Sequence, residues 1–307
     1  MKKIFLFAAA AMVSLSSCVQ TDEVYTGGVQ EIGFKSGVTR AAVDGTTLPA
    51  GSAINVAGVW DAEGDGSYVE YFEPTKFVDA SGIYSGAPAR YWPNAGKMQF
   101  IGYYPYGVGT FTADYTGDVL AGYEVTGIDG AAQNDILYSD LCEVGTVPAA
   151  TQALFFRHAL ALLQVNFQTS LTTEEVKIVS ATVADVVLGG DLTVTAGNPS
   201  TAAWSIDPSD AIDHTFANVT DAALTDSANT DATPLLVVPA AAQTEMTIVY
   251  TLNGHQMTKT VELDTYGAWD AGNKYIYNFS IGANQIQFTC EVDPWTDVVV
   301  SGGNIAI

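Results

Sequence analysis

The residue with the clearest chemical role in this sequence is Cys18, which follows Leu15-Ser16-Ser17 near the N-terminus. A leucine, two small residues and a cysteine in this order match the bacterial lipobox, in which the thiol is acylated and the chain is cut before the cysteine. Before it, Met1-Lys2-Lys3 leads into an apolar run over Ile4–Val13, about ten residues where a bilayer span needs about twenty. The sequence therefore predicts a lipoprotein signal peptide over residues 1–17 and lipid attachment at Cys18. The alternative is an ordinary signal peptide with an incidental cysteine.

The segment after Cys18 is acidic, reading Val19-Gln20-Thr21-Asp22-Glu23. It is similar to the signal that sends some Gram-negative lipoproteins to the outer face of the outer membrane. Several acyl chains on one residue give stable anchoring, whereas one chain gives only marginal binding. We therefore expect a surface-exposed protein of the cell outer membrane, with residues 18–28 as its tether.

The charge of the chain limits its partners. Lysine and arginine together number 11 against 34 aspartates and glutamates, which gives a net charge of −23. Nucleic acid is excluded as a partner because its phosphates need cationic side chains. An anionic lipid surface is disfavoured for the same reason. Such a charge suits a soluble exterior that resists clumping.

Beyond Cys18, the sequence predicts no catalytic residue, no metal site and no cofactor. The turn cluster Asp61–Gly66 begins like a calcium loop, but the last ligand position falls on Phe72, so a hairpin turn is expected. There is no Gly-x-Ser-x-Gly elbow and no phosphate-binding glycine loop. Cys142 and Cys290 either form a disulfide, which an exported protein permits, or stay free and buried. The three histidines share no metal-ligand spacing: His158, His214 and His255.

Alternation of apolar and polar residues predicts β-strands from about residue 29 to the C-terminus. Tyr275–Ile281 and Gln285–Asp293 show it most clearly, and no long stretch has a helical period. Short strands separated by turn signals predict an all-β fold with two sandwiches. A stretch of small residues around Pro148 suggests a boundary, which gives domains over residues 29–150 and 151–307.

Several sequence pieces, in their order and spacing, resemble the fimbrillin family of Gram-negative anaerobes. They are the lipobox at Cys18, Val38-Thr39-Arg40-Ala41, Phe100–Pro105, Phe155–Ala161, Leu235–Pro239, Trp269–Tyr275 and Pro294-Trp295. This resemblance implies two transthyretin-like β-sandwich domains in tandem and a role as a structural subunit of adhesive fimbriae. It also implies that an arginine-specific protease removes the first strand, and that a strand from a neighbouring subunit fills the groove left behind.

On this resemblance, Val29–Val38 is the plug strand, with Ile32, Phe34 and Val38 filling the groove, and Arg40 is the protease site. The alternative is that Arg40 is a solvated loop residue. The donor is expected in the tail Gln285–Ile307, which also fits the last strand of its own domain. The predicted donor side chains are Ile286, Phe288, Cys290, Val292 and Trp295.

The predicted partners are other fimbrial subunits, the outer membrane before processing, the arginine-specific protease and host surface ligands. The alternative function is a monomeric surface glycan-binding lipoprotein, for which the tyrosines and tryptophans between Ile83 and Tyr106 would have to be exposed on one face. A surface hydrolase is a weaker option that requires a cleft with convergent polar groups.

Overall fold

The structure of the chain is a computed structural model, and it describes residues 30–35, 48–115, 119–219, 223–239, 245–263, 268–282, 285–294 and 298–299. The fold is all-β, as predicted, with two 3₁₀ turns at Gly130–Ala132 and Pro208–Asp210. The strands are β1 (Gly33–Lys35), β2 (Ala53–Asp61), β3 (Val69–Ala80), β4 (Ile83–Gly86), β5 (Lys97–Tyr104), β6 (Thr110–Asp114), β7 (Gly122–Ile128), β8 (Leu137–Ser139), β9 (Cys142–Val144), β10 (Gln152–Ala153), β11 (Phe155–His158), β12 (Ala161–Thr169), β13 (Val176–Val186), β14 (Gly190–Thr195), β15 (Thr201–Ser205), β16 (Ile212–Thr215), β17 (Leu235–Val237), β18 (Glu245–Leu252), β19 (His255–Glu262), β20 (Asn273–Ile281), β21 (Ile286–Pro294) and β22 (Val298–Val299).

Within the described residues these strands form four sheets. Sheet I has the order β10-β1-β4-β3-β2-β5-β8-β11-β22, with β9 also paired to β5. Sheet II is β17-β12-β20-β21, sheet III is β16-β13-β18-β19, and sheet IV is β15-β14-β7-β6. Neighbours are mostly antiparallel, but β1 pairs in parallel with β10, and β12 in parallel with β20.

Three apolar clusters form the interior. The first lies between sheets II and III and includes Phe167, Ile248 and Phe279. The second joins sheets I and IV to the other face of sheet II, where Leu162 projects. The third takes its strand residues from sheet I alone, together with residues of the connecting segments such as Trp92 and Leu154, so this sheet must curl to bring its strands together. Strand β12 contributes to two clusters: Leu163, Val165 and Phe167 face the first, and Leu162 faces the second. Beyond Leu162, the residues on its second face are polar, so the strand alternates between apolar and polar residues.

The sheets cross the predicted boundary at residue 150. Strand β14 pairs with β7 over five residue pairs, so sheet IV takes two strands from each side of that position. Strand β11 likewise belongs to sheet I through its pairing with β8. The division into domains at 150 and 151 stays a prediction, and the pairing shows that its two parts share sheets.

Candidate functional site

Strand β1 lies inside sheet I, with hydrogen-bonded neighbours on both of its sides. Phe34 stands opposite Tyr84 of β4 on one side and opposite Gln152 of β10 on the other. The residues just before β1 extend the pairing, since the Ile32 amide donates to the Arg90 carbonyl at 2.7 Å. Residues 30–35 are therefore held by backbone partners from two distant parts of the chain.

The two apolar side chains of the predicted plug strand that the structure describes are fully buried. Ile32 and Phe34 are both 0% exposed. The Phe34 ring meets the rings of Phe77 and Phe100 edge-to-face, each with centroids 5.1 Å apart, which is a favourable aromatic geometry. Gln30 anchors the start of the segment by donating its side-chain amide to the Ala149 carbonyl at 3.0 Å. The third predicted plug residue, Val38, lies outside the described residues, as do Arg40 and Cys18.

Strand β21, which contains four of the five predicted donor residues, forms one edge of sheet II. It pairs with β20 along its whole length, from Ile281 opposite Ile286 to Asn273 opposite Pro294. No other described strand pairs with its outer side. The short strand β22, which follows β21 in the chain, pairs with β11 in sheet I. The chain therefore passes from sheet II to sheet I soon after β21 ends.

The core-facing side chains of β21 are only partly buried. Ile286, Phe288 and Cys290 pack against the core between sheets II and III, while Val292 is 46% exposed. The Phe288 ring stacks on Phe279 with centroids 5.5 Å apart. The fifth predicted donor residue, Trp295, lies outside the described residues.

The two remaining cysteines are free thiols in different surroundings. Burial raises the pKa of the Cys142 thiol to about 12. Burial also raises the pKa of Cys290, although a hydrogen bond with Tyr277 opposes this effect. Both groups are therefore protonated at neutral pH, and the thiol on the edge strand is the more accessible.

The Asp61 cluster forms a hairpin turn between β2 and β3. The Asp61 carboxylate accepts hydrogen bonds from the backbone amides of Gly64, Asp65 and Gly66 at 2.6, 3.2 and 2.9 Å. Burial raises its pKa, but these three donors together outweigh it, so the pKa lies below its usual value. The Asp61 carboxylate therefore stabilises the turn that follows it, through hydrogen bonds to the backbone of that turn. In the described part of the chain no three His, Cys, Asp or Glu side chains are grouped to hold a metal ion.

The histidines lie in separate environments. His158 Nδ1 on β11 is 3.1 Å from the carboxylate of Asp135, which is partly buried just before β8. Burial lowers the pKa of His214, whose ring meets Phe216 edge-to-face. His255 is exposed on β19. The structure does not bring the three together.

An open cleft of about 910 Å³ lies where the ends of β7 and β15 meet the loop before β14. Its carboxylates mostly hold nearby backbone, as Asp191 accepts from the Gly127 amide at 2.8 Å and Asp207 accepts from Ser209. Hydrogen bonds from Ser209 hold the pKa of Asp207 below its usual value. None of the predicted site residues lines the cleft.

The aromatic segment between Ile83 and Tyr106 is mainly a core element. Its buried members are Tyr84, Trp92, Phe100 and Tyr103, whereas Tyr91 and Tyr106 are 44% and 45% exposed. The Tyr106 ring is covered in part by Lys76, whose ammonium lies 5.0 Å from the ring centroid. A glycan-binding surface built from the whole segment therefore does not fit its burial.

The sequence did not reveal which segments flank β1. Gln152 and Ala153 pair with it from far along the chain, and the backbone of Arg90 and Trp92 flanks its start. Alternation within a segment reports that one face is buried, but it carries no information about which distant strand lies alongside.

No described helix is long and apolar enough to cross a membrane.

The profile of one protein family, described as Fimbrillin-like, matches residues 39–295. The chain belongs to the fimbrillin-like family. The match spans strands of all four sheets and covers well over half of the sequence. No curated protein sequence matches the chain.

Solved structures share the fold of this fimbrillin-like chain at low sequence identity. A candidate cell adhesion protein from Bacteroides uniformis is 18% identical with a TM-score of 0.59, covering 87% of this chain and 99% of its own. A fimbrial protein from Bacteroides vulgatus is 16% identical with a TM-score of 0.55, covering 79% and 93%. A candidate cell adhesion protein from Bacteroides ovatus is 15% identical with a TM-score of 0.52, covering 88% and 98%. At such identities these likenesses concern the fold.

Proposed function

We propose that this protein is a structural subunit of an adhesive cell-surface pilus and that it polymerises by donor-strand insertion. Membership of the fimbrillin-like family supports a pilus-type subunit. The observation that carries the assembly mechanism is the position of β1. It is a short strand at the beginning of the described chain, paired on both sides, and Phe34 in it is fully buried, so its loss would open a groove in sheet I.

The precursor is anchored through acyl chains on Cys18 and presented on the outer membrane. An arginine-specific protease then cuts after Arg40 and releases the segment that contains β1. The chain has three arginines, and the other two are engaged in the fold. Arg90 donates to Thr75 and lies 5.3 Å from the Phe72 ring centroid, and Arg157 forms a two-pronged ion pair with Asp140. Selective cleavage at Arg40 is consistent with these contacts.

Removing β1 leaves two kinds of unsatisfied surface. The backbone groups of β4 and β10 that paired with it lose their partners, and the apolar socket around Phe77 and Phe100 is exposed. Exposed strand edges of this kind pair readily with another chain. A strand from a neighbour satisfies the backbone and fills the socket at the same time. Because the contact is head-to-tail, repetition gives an open filament.

Strand β21 of a neighbouring subunit is the proposed donor. It carries Ile286 and Phe288 two residues apart on one face, and the plug carries the same pair as Ile32 and Phe34. The donor pair therefore supplies side chains of the same size at the spacing that the sockets require. Its partial burial in sheet II means that less apolar contact is lost when it leaves its own subunit than for a central strand such as β20.

The test uses the full chain with Cys18→Ser, which prevents lipid attachment, treated with an arginine-specific protease. We expect one cut after Arg40, followed by SDS-resistant ladders. The matched control, Arg40→Lys, should resist the protease and stay monomeric. Phe288→Ala should leave cleavage unchanged and reduce ladder formation at least about tenfold, since it removes a large buried anchor. Trimmed protein that stays monomeric would contradict the proposal and favour the monomeric glycan binder, to be tested on a glycan array.

A further inference from the structure

Strand β19 is an edge strand of sheet III and is exposed over most of its length. It forms a hairpin with β18, with pairs running from Glu245 opposite Glu262 to Leu252 opposite His255. No described strand pairs with its other side, and every residue from His255 to Thr260 is exposed. An exposed edge of eight residues offers a row of unpaired backbone groups to another strand.

The register of the hairpin shows which face of β19 continues the core. Residues directly opposite each other in an antiparallel pair point to the same face. Tyr250 and Ile248 are buried between sheets II and III, and they stand opposite Met257 and Lys259. Met257 and Lys259 therefore lie in the core-facing row, which Val261 ends by packing against the cluster.

Lys259 is unusual among the cationic residues of this chain. Of the eight lysines and arginines in the described residues, it alone is exposed. The other seven are half-buried, and several are held by contacts, such as Lys97 with the Gly64 carbonyl at 2.8 Å. Lys259, the one exposed cation among the described residues, thus lies in the core-facing row, near the middle of β19.

We propose that β19 is a latent pairing surface for a second copy of this chain, and that Lys259 keeps it closed. Lysine on an edge strand and charges that point inward are both known to prevent edge-to-edge pairing. A β19 strand that added to this edge would enclose the Lys259 ammonium beside apolar side chains. An ammonium that is removed from water without a partner carries a large free-energy cost.

The sequence of β19 makes this block effective against its own copy. When two β19 strands pair antiparallel with their core-facing rows aligned, odd-numbered residues oppose odd-numbered residues. Lys259 then faces Met257, Val261, His255 or a second Lys259, depending on the register. None of these is a carboxylate, so every such register leaves the ammonium without an opposite charge. A valine at position 259 would instead make the row apolar from Met257 to Val261 and remove this obstacle to pairing.

The experiment compares self-association of the full chain with Cys18→Ser, without protease, so that the first strand stays in place. Lys259→Val should lower the dimer dissociation constant at least about tenfold in analytical ultracentrifugation, because no charge is then buried. Lys259→Thr, which is less apolar, should act in the same direction. Lys259→Arg keeps the charge and should stay monomeric like the parent.

The matched control is Thr258→Val, which adds the same apolar side chain on the outward face and leaves the ammonium in place. It should associate no more than the parent chain. Hydrogen exchange should show slower exchange of the amides of residues 255–262 in the Lys259→Val dimer, which locates the contact. The inference is overturned if Lys259→Val and Lys259→Thr stay as monomeric as the parent, or if dimers form without protection of β19. Neither result depends on cleavage at Arg40, so the pilus proposal is judged separately.

Discussion

Phe34 is the residue whose replacement most directly tests the role of β1 in the precursor. Phe34→Ala removes a side chain with no exposed surface and two edge-to-face partners, and the cavity should lower the free energy of unfolding by about 3–5 kcal/mol. Urea denaturation of the uncut chain measures this. The control is Phe155→Ala on β11, where the side chain is 47% exposed, and we expect a loss of about 1 kcal/mol or less.

The same substitution separates the precursor from the trimmed protein. If residues up to Arg40 are removed on maturation, Phe34 is absent from the trimmed chain. The parent and Phe34→Ala proteins should then have the same unfolding midpoint after cleavage. A difference that persists after complete cleavage would mean that the strand stays bound to sheet I.

The two thiols should react at very different rates. With a pKa of about 12, only about one part in ten thousand of Cys142 is thiolate at pH 8, so a disulfide reagent should modify Cys290 first. In the unfolded chain this thiol ionises near its ordinary value of 9.0, whereas in the folded chain it stays protonated up to about pH 12. Ionisation therefore favours the unfolded chain, so the free energy of unfolding falls as the pH rises from about 9 to 12. Cys142→Ser should flatten this alkaline loss in denaturation curves at pH 8 to 11. Equal labelling of both thiols in the folded chain would contradict the expected order.

At the scale of elements, the contact between the turn after β7 and the loop before β14 depends on a missing side chain. A Cβ on Gly130 would lie 1.8 Å from the backbone oxygen of Leu188, which cannot rotate away. Gly130→Ala should therefore lower the free energy of unfolding by about 1–3 kcal/mol or more, as overpacking does. Gly145→Ala is the matched control, because a Cβ there meets no atom within 4 Å, and we expect a change within about 0.5 kcal/mol. Equal unfolding midpoints for the two variants would show that the loop moves aside.

The elements that sequence alone predicts are those with strong alternation. Strand β20 was expected at Tyr275–Ile281 and extends over Asn273–Ile281, because a two-residue period directly reports one buried face. Strand β15, with the sequence Thr-Ala-Ala-Trp-Ser, was not predicted, since small residues give little contrast between its faces. The burial of Ile32 and Phe34 follows from the same alternation. Their partner β10 does not, because pairing between distant strands depends on the whole fold.

At the scale of the whole molecule, the acidic charge should control how fast trimmed subunits meet: the full chain carries −23, and loss of four cations and three acidic residues with residues 1–40 leaves −23 − 4 + 3 = −24. Subunits of like charge repel each other, and the repulsion is screened over about 30 Å at 0.01 M salt but about 3 Å at 1 M. Strand insertion itself relies on backbone hydrogen bonds and apolar side chains, which salt of this kind screens little. We therefore expect sodium chloride to raise the rate of ladder formation after cleavage, with little effect on the SDS resistance of finished ladders.

Stopped time courses at 0.01, 0.1 and 1 M salt measure the rate, with the extent of cleavage followed in parallel so that protease activity is not mistaken for assembly. Magnesium chloride at matched ionic strength is the control for specific ion bridging, and it should give the same rate as sodium chloride. A rate that is unaffected by salt would show that strand release within each subunit, and not the encounter of two acidic molecules, limits assembly.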